Sequence, residues 1–448
     1  MLRVDLSPRI AFVTLGCAKN EVDTDKMQAR LVAAGFSLVD DVADSDLVIV
    51  NTCAFLASAV EEGLEVIFDL VGRENAAGEE LKVLVAGCMP SRYGDSLSDE
   101  LVEAAGFLAA GEEERIVEEV SRLLGIEGCF MGGGPKLLRH AHPSSAYVKI
   151  SDGCDRFCSY CMIPHIRGRY HSYTLEQIDD EVAELVCNGV REIVLIGQDT
   201  GIWGRDLDEP ATTAGLVSTL ARRYPDIWFR LLYVQPEGIT DELLDVIATH
   251  PNICSYLDMP LQHSNAEVLA RMNRSGDAQD TLALIERVRK RVPDIMIRTT
   301  LMAGFPGETE EQFEEMLDFV DEAQFDYAGV FAYSPEEGSA AYEFDGLLDE
   351  EERRQRAQRL LDACEAIGTA RAAKLAGNRV EALVEGYEQT DVGLEALCRT
   401  QGQAPEVDGQ VHVPIADVSE LAIGQFVQVE ITGSFFYEIE GEVVEHER

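Results

Sequence analysis

Gly153-Cys154-Asp155-Arg156-Phe157-Cys158-Ser159-Tyr160-Cys161 follows closely on the apolar run Ala146–Ile150. Its three thiols are spaced C-x3-C-x2-C, so one loop at a strand end can wrap them around a single metal centre. One reading is a structural zinc site with His165 as fourth ligand, although structural zinc commonly draws its ligands from two paired knuckles. The other is an iron–sulfur cluster. A [4Fe-4S] cluster normally takes four cysteines, and three leave one iron open to a substrate or cofactor.

On either side of this loop, from about Pro143 to Ala373, strand and helix alternate. Strands are expected at Ala146–Ile150, Glu192–Ile196, Trp228–Val234, Cys254–Leu257, Met296–Leu301 and Tyr327–Phe331. Helices are expected at Leu175–Cys187, Asp241–Ile247, Asp277–Arg291 and Glu310–Glu322. Six βα units imply a barrel-like or partly open barrel with its site at the strand C-terminal ends. A long charged helix from Asp349 to about Lys374 closes the segment.

Upstream, Arg9 to Gly125 reads as an open parallel α/β unit, with strands at Ile10–Leu15, Leu47–Val50 and Val83–Ala86 and helices at Asp25–Ala34, Ala57–Leu70 and Glu113–Leu124. Each of these strands runs out at a cysteine: Cys17, Cys53 and Cys88. The strand ends of such sheets line the ligand crevice, so the three thiols can converge on a shared cluster. Gly132-Gly133-Gly134-Pro135 reads as a linker. Downstream, Gly377 to Arg448 switches to period-two alternation, as in Val380-Glu381-Ala382-Leu383-Val384-Glu385, and implies a small antiparallel β-barrel of about five strands. The expected division is 8–130, 140–372 and 373–446.

The 448 residues include 37 Lys+Arg against 82 Asp+Glu, a formal charge of −45. Roughly 150 residues per domain gives about three domains. A 46% hydrophobic content excludes general disorder. The charge repels nucleic acid and anionic membranes and favours a basic partner. Eleven cysteines, an odd number, with no export signal or membrane-spanning run, point to reduced thiols in the cytoplasm rather than to a disulfide framework. Cys129, Cys187, Cys254, Cys364 and Cys398 read as small packing residues.

With Tyr160 just before its last cysteine, the central loop resembles the radical S-adenosylmethionine superfamily. The resemblance implies that Cys154, Cys158 and Cys161 ligate the radical-generating cluster. Its open iron would chelate S-adenosylmethionine, and one electron would cleave that cofactor to a 5′-deoxyadenosyl radical. Thr14-Leu15-Gly16-Cys17-Ala18-Lys19-Asn20, Asn51-Thr52-Cys53 and Gly87-Cys88 are similar to the three N-terminal motifs of the methylthiotransferases within that superfamily. There the three cysteines hold an auxiliary [4Fe-4S] cluster that delivers sulfur. The resemblance covers essentially the whole chain, including a C-terminal substrate-binding TRAM domain. It implies two [4Fe-4S] clusters, S-adenosylmethionine, and an electron-donor protein such as flavodoxin or ferredoxin.

Two branches of that family compete, one acting on tRNA adenosine and one on a small-subunit ribosomal protein. Leu-Gly-Cys-Ala-Lys-Asn at 15–20, where the tRNA branch tends toward Gly-Cys-Gln-Met-Asn, resembles the second. So do Gly197-Gln198-Asp199-Thr200, Leu257–His263 and Gln403–Gly409. In that branch an aspartate of ribosomal protein twelve gains a methylthio group on its β-carbon. Residues 373–448 carry four Lys/Arg against fifteen Asp/Glu, or 4 − 15 = −11. Direct tRNA binding through such a segment would forfeit the phosphate attraction that dominates nucleic-acid affinity. A basic ribosomal protein, free or in the ribosome, suits it. A non-catalytic metal-binding scaffold on the ribosome is the alternative from another class.

The same resemblance implies that Tyr160 contacts adenine, against ordinary loop packing, and that Gln198 helps hold the cofactor, against a structural strand-end amide. Gly304 and Gly307, in Gly304-Phe305-Pro306-Gly307-Glu308-Thr309, would let backbone approach the cofactor or else form a tight turn before a helix. His263 either orients substrate or is structural. After Ile166-Arg167-Gly168 the family often carries further arginines, where His171 and Tyr173 stand here.

Overall fold

The run Leu47-Val48-Ile49-Val50 is buried on both faces, as the central strand of a parallel sheet must be. In the computed structural model, which describes residues 7–126, 144–391 and 393–444, it lies in β3 (Leu47–Thr52). Its neighbours are β1 (Arg9–Thr14) and β4 (Lys82–Gly87). With β2 (Ser37–Leu38) and β5 (Gly106–Ala109) they form an all-parallel sheet of order β2-β1-β3-β4-β5. Alternate residues serve opposite faces. Ile10, Leu47 and Ile49 cluster with Met27 and Leu31 of the helix Ala18–Ala33; Ala11, Val48 and Val50 cluster with Ile67 and Leu70 of the helix Ala57–Leu70. The sequence leads one to expect the first helix only from Asp25. Its first turn is missing from that expectation because Lys19, Asn20 and Asp23 are buried polar residues that break the apolar period.

The central segment contains β6 (Ser145–Lys149), the short strands β7 (Ser151–Asp152) and β8 (His171–Ser172), then β9 (Glu192–Ile196), β10 (Trp228–Leu231), β11 (Tyr256–Gln262), β12 (Met296–Ala303) and β13 (Tyr327–Ala332). β6, β9 and β10 pair in parallel, as do β11, β12 and β13. A parallel bridge between Phe229 and Ile253 joins the two sets. The result is a six-stranded partial barrel. Its outer core packs strand residues such as Ile193, Phe229 and Ile297 against helices including Leu175–Cys187 and Glu310–Ala323. The helix Glu350–Ala372 adds Leu360 and Cys364 to that layer. β11 is longer than the expected Cys254–Leu257, because Asp258, Pro260 and Gln262 lie within the strand. Asp258 is paired with Arg298, and the register with β12 shifts between Pro260 and Gln262. Helices at Thr213–Arg223 and Ala266–Arg271 escape the sequence reading.

The C-terminal segment closes a five-stranded barrel of order β14-β15-β16-β18-β17, formed by β14 (Arg379–Thr390), β15 (Gly393–Thr400), β16 (Val411–Ile415), β17 (Phe426–Phe435) and β18 (Glu438–Val443). Its core is Ala382, Val384, Val413, Val429 and their neighbours. A buried ionic network docks it on the central barrel. Glu192 accepts from Arg230 at 2.8 Å and from Arg399, and Arg399 also reaches Glu385 at 2.6 Å. Burial alone would raise the Glu192 carboxyl, but Arg399 and Arg230 outweigh it and lower it below the ordinary range.

Among the described residues no helix is long and apolar enough to cross a membrane. Cys254, Cys364 and Cys398 are buried, as packing residues should be. Cys187, by contrast, is exposed at the end of its helix, where no apolar layer covers it. Cys129 and the Gly132–Pro135 stretch lie outside the described residues.

Candidate active site

Three adjacent strands explain why cysteines 36 and 35 residues apart can meet. Thr14 is level with Asn51, and Thr52 with Gly87, so β1, β3 and β4 end together at neighbouring positions of the sheet. Adjacent strands stand about 4.8 Å apart. The strand order reverses between β1 and β3, the crevice at which open parallel sheets bind ligands. Cys17 caps the helix that follows β1, Cys53 follows β3, and Cys88 opens the helix after β4. A Cβ placed on Gly16 would stand 2.6 Å from the Cys53 Cβ, which measures how closely the first two loops touch. Asn20, fully buried, ties the group together: its amide nitrogen donates to Leu15 O and Thr52 O, and its oxygen lies 3.6 Å from Cys88 Sγ.

The second triad lies in the loop whose ends are pinned by β7 and β8, Asp152 opposite His171. Ser159 N donates to Met272 O and Ser159 Oγ to Arg271 O, fixing the loop against the end of the helix Ala266–Arg271. Burial pushes the Cys88 thiol up to about 11 against the pull of Arg167, and the Cys161 thiol up to about 12. Cys53 and Cys154 are raised for the same reason. Among the described residues no three His, Cys, Asp or Glu side chains converge tightly enough to hold a single ion, His165 included. Tetrahedral zinc needs each thiolate about 2.3 Å from one centre, whereas a cluster spreads its thiolates over separate irons. Three soft donors with no hard oxygen ligand among them suit a thiophilic centre, zinc or iron–sulfur, and not magnesium or calcium.

Four charged residues that the sequence does not single out connect the two triads. Arg167 stands six residues beyond Cys161. Its guanidinium donates to Asp23 at 2.8 Å, Asp152 at 3.2 Å and Asn20 Oδ1 at 2.7 Å, and lies 3.7 Å from Cys88 Sγ. Lys149 Nζ bridges the same two carboxylates at 2.5 and 2.7 Å. All four side chains are buried. Burial would raise the Asp152 carboxyl, but Lys149 and Arg167 together hold it well below the usual range. Asp152 also accepts from Gly153 N at 2.9 Å, immediately before Cys154. Only a spatial view reveals this group, since its members lie 23 to 167 along the chain with no common motif.

The remaining expected residues occupy the mouth of the partial barrel. Tyr160 packs beside Phe305 and Tyr333, and its hydroxyl accepts from Arg274 at 3.4 Å. Gln198 donates to Asp152 Oδ1 at 3.1 Å, while its own Oε1 is buried with no hydrogen-bond partner among the described residues. Ser151 Oγ and Asp199 Oδ1 are orphaned in the same way, although Asp199 Oδ2 takes Arg156 at 2.5 Å. Unsatisfied buried polar atoms clustered at one strand end fit a polar ligand there. At Gly304 the space a Cβ would take is filled by Arg353 (Cγ at 2.5 Å), and at Gly307 by the guanidinium of Arg271. Neither position on the way into the helix Glu310–Ala323 therefore has room for a side chain. His263 Nδ1 accepts from Asn265 N at 3.0 Å and its Nε2 faces Glu308 at 3.3 Å in a fully buried pair, a structural role. His171 is exposed in β8, and Tyr173 lies under Lys26 with its ring 5.2 Å from the ammonium.

Comparison with known proteins agrees with this layout. Residues 148–320 match the Radical SAM superfamily, 9–109 the uncharacterized protein family UPF0004, and 376–444 the TRAM domain. The chain is 38% identical over 445 residues to the ribosomal protein uS12 methylthiotransferase RimO of Natranaerobius thermophilus, covering 97% of this chain and 99% of that one. It is 39% identical over 444 residues to the protein of the same name from Pelotomaculum thermopropionicum, with 97% and 99% covered. Among solved structures it resembles the radical S-adenosylmethionine methyltransferase TsrM of Kitasatospora setae, with a TM-score of 0.54 at 16% identity over 74% of this chain and 76% of that one. A second is the cobalamin-dependent radical enzyme OxsB, with a TM-score of 0.51 at 13% identity, covering 78% and 56%. These last two likenesses concern the fold alone.

Proposed function

The chain belongs to the family of ribosomal protein uS12 methylthiotransferases, and from that premise we propose that its two cysteine triads hold one [4Fe-4S] cluster each. The protein is a radical S-adenosylmethionine transferase, and its substrate is an aspartate of uS12, modified at the β-carbon. Bound together, the clusters and S-adenosylmethionine supply the one-electron, sulfur and methyl chemistry that an unactivated C–H bond demands and that no protein acid or base provides. Cys154, Cys158 and Cys161 are the ligands on the radical side and Cys17, Cys53 and Cys88 those on the sulfur-delivering side. Tyr160 and Gln198, with the backbone at Gly304 and Gly307, border the cofactor. The segments 8–130, 140–372 and 373–446 are the working units. An electron-donor protein such as flavodoxin or ferredoxin serves the enzyme in the cytoplasm.

The observation that most directly supports this reading is the reach of Arg167 from the loop of one triad to the Cys88 sulfur of the other. The chain's own task is to hold both thiol groups at one barrel mouth, to align the aspartate between them, and to keep water out. The acidic C-terminal barrel, at −11 over residues 373–448, suits a basic protein and disfavours direct tRNA binding.

Mass spectrometry of uS12 and of tRNA from cells lacking the gene tests the substrate. The expected result is loss of the methylthio mass from uS12 alone; its loss from tRNA, with uS12 unchanged, refutes the assignment. Anaerobic reconstitution tests the cofactors, with about eight irons per chain expected for two clusters. Persistent cleavage of S-adenosylmethionine after Cys154, Cys158 and Cys161 are changed to Ala sinks the radical role of that loop.

A further inference from the structure

Lys19 is 8% exposed, and among the described residues no carboxylate lies within ion-pairing distance of it. Lys149 and Arg167, the deeply buried cations near it, both pair with Asp23 and Asp152, and the partly buried Arg156 and Arg298 pair with Asp199 and with Asp258 and Asp408; Arg274 instead spends its guanidinium on Tyr160 Oη, Gln235 Oε1 and the Pro260 carbonyl. An ammonium withdrawn from water without an anion is costly, and a single aromatic face repays only part of that cost. The face that Lys19 has is Tyr233, whose ring centroid is 3.2 Å from Nζ. Tyr233 stands two residues past the end of β10 with φ 61°, a conformation that a bulky side chain adopts only under constraint from its surroundings. Its amide is held by Asp258 Oδ2 at 3.0 Å.

The position of this cation suits a ligand placed between the two triads. Lys19 follows Cys17 by two residues in the first turn of the helix Ala18–Ala33. Ala18 and Val22 of the same turns pack with Tyr147, Val194 and Tyr256 of the barrel interior. The ammonium therefore lies where the sheet-end crevice of the N-terminal segment meets the C-terminal ends of the barrel strands.

We propose that Lys19 binds the side-chain carboxylate of the substrate aspartate, an inference that rests on the uS12 reading above. The contact is a charge-assisted hydrogen bond from Nζ to the carboxylate. It fixes the residue whose β-carbon reacts and completes the missing half of an otherwise unpaired ion. S-adenosylmethionine also carries a carboxylate, so the test separates the two sources.

The probe is a synthetic uS12 peptide containing the target aspartate, compared with the same peptide carrying asparagine. Binding to the reconstituted full-length chain is followed by fluorescence anisotropy, and S-adenosylmethionine binding by equilibrium dialysis. The wild-type chain is expected to favour the aspartate peptide by about 10- to 100-fold. Lys19→Met should bring that preference to about one, and Lys19→Arg should recover part of it, which separates charge loss from misfolding. Undiminished preference in Lys19→Met overturns the role of Lys19 and leaves the uS12 reading standing. Weakened S-adenosylmethionine binding with the preference intact overturns it in favour of the cofactor carboxylate. Equal affinity of the wild-type chain for both peptides overturns the role of Lys19 alone, whereas failure to bind either peptide overturns the substrate reading.

Discussion

Replacing Arg167 by Met removes one buried cation of similar length and leaves its partners in place. The substitution deletes ion pairs to Asp23 at 2.8 Å and Asp152 at 3.2 Å, a hydrogen bond to Asn20, and the approach to Cys88 Sγ. The side chain is 3% exposed, so water cannot replace these contacts. Breaking a buried ion pair by removing one partner costs about 3–5 kcal/mol. Lys149 still reaches both carboxylates, which places the expected loss near the lower figure. At roughly 2–4 °C per kcal/mol for units of this size, about 3 kcal/mol lowers the melting temperature by about 6–12 °C. The burial that already raises Cys88 is then opposed by no nearby guanidinium, so its thiolate is harder to form. Iron should fall from about eight toward about four per chain, the loss falling on the N-terminal triad. Calorimetry of the apo chain and iron analysis after anaerobic reconstitution read both effects. Arg167→Lys should recover part of the stability, since charge is kept while the fork that spans Asp23 and Asn20 is lost. A melting temperature within about 1 °C of wild type, together with full iron loading, would refute the reasoning.

The Glu192 network gives a pH prediction. Its carboxyl is lowered from 4.5 in the folded chain, so its stabilisation is complete above about pH 4.5 and drains away as the pH falls below that. Denaturant unfolding should give Glu192→Gln a stability about 3 kcal/mol lower at pH 7 and without the acid-side slope that the wild type shows; parallel slopes would contradict this. Because Cys53, Cys88, Cys154 and Cys161 are all raised by burial, iron loading must displace their protons. Loading should therefore release protons and improve from about pH 7 to about 8.5; a pH-independent affinity argues against it. Gly16→Ala puts a methyl group 2.6 Å from the Cys53 Cβ at a backbone φ of 99°, and should impair iron loading at the N-terminal triad while the central triad still loads. Unimpaired loading in that variant would show that the two loops can separate.

The barrel strands were legible because runs such as Ala146–Ile150 and Glu192–Ile196 are largely apolar segments bounded by helical periodicity, and burial on both faces leaves that mark in one dimension. The six cysteines proposed as cluster ligands were marked in the sequence by spacing in one triad and by strand ends in the other. What makes the second triad converge, the level ends of β1, β3 and β4, is a matter of register and cannot be read from separations of 36 and 35 residues. Asp258 and Pro260 concealed the length of β11 because an acidic residue and a proline resemble breakers until Arg298 and the register shift are seen. Asn20, Asp23 and Lys149 escaped for a related reason. A buried polar residue is satisfied by partners far along the chain, so it leaves no period behind. At Gly304 and Gly307 the sequence offered cofactor approach or a turn, and only the arginines filling the vacant Cβ positions explain why glycine is required.

The bond between Arg167 and Asn20 also limits how this protein can be recombined. Asp23 and Asn20 come from the N-terminal segment, while Lys149, Asp152 and Arg167 come from the central one, and each side leaves buried charge stranded without the other. A chimera that imports an N-terminal segment from a relative must carry matching residues on both sides of the seam. A graft that respects domain boundaries alone would assemble two sound halves around a broken junction.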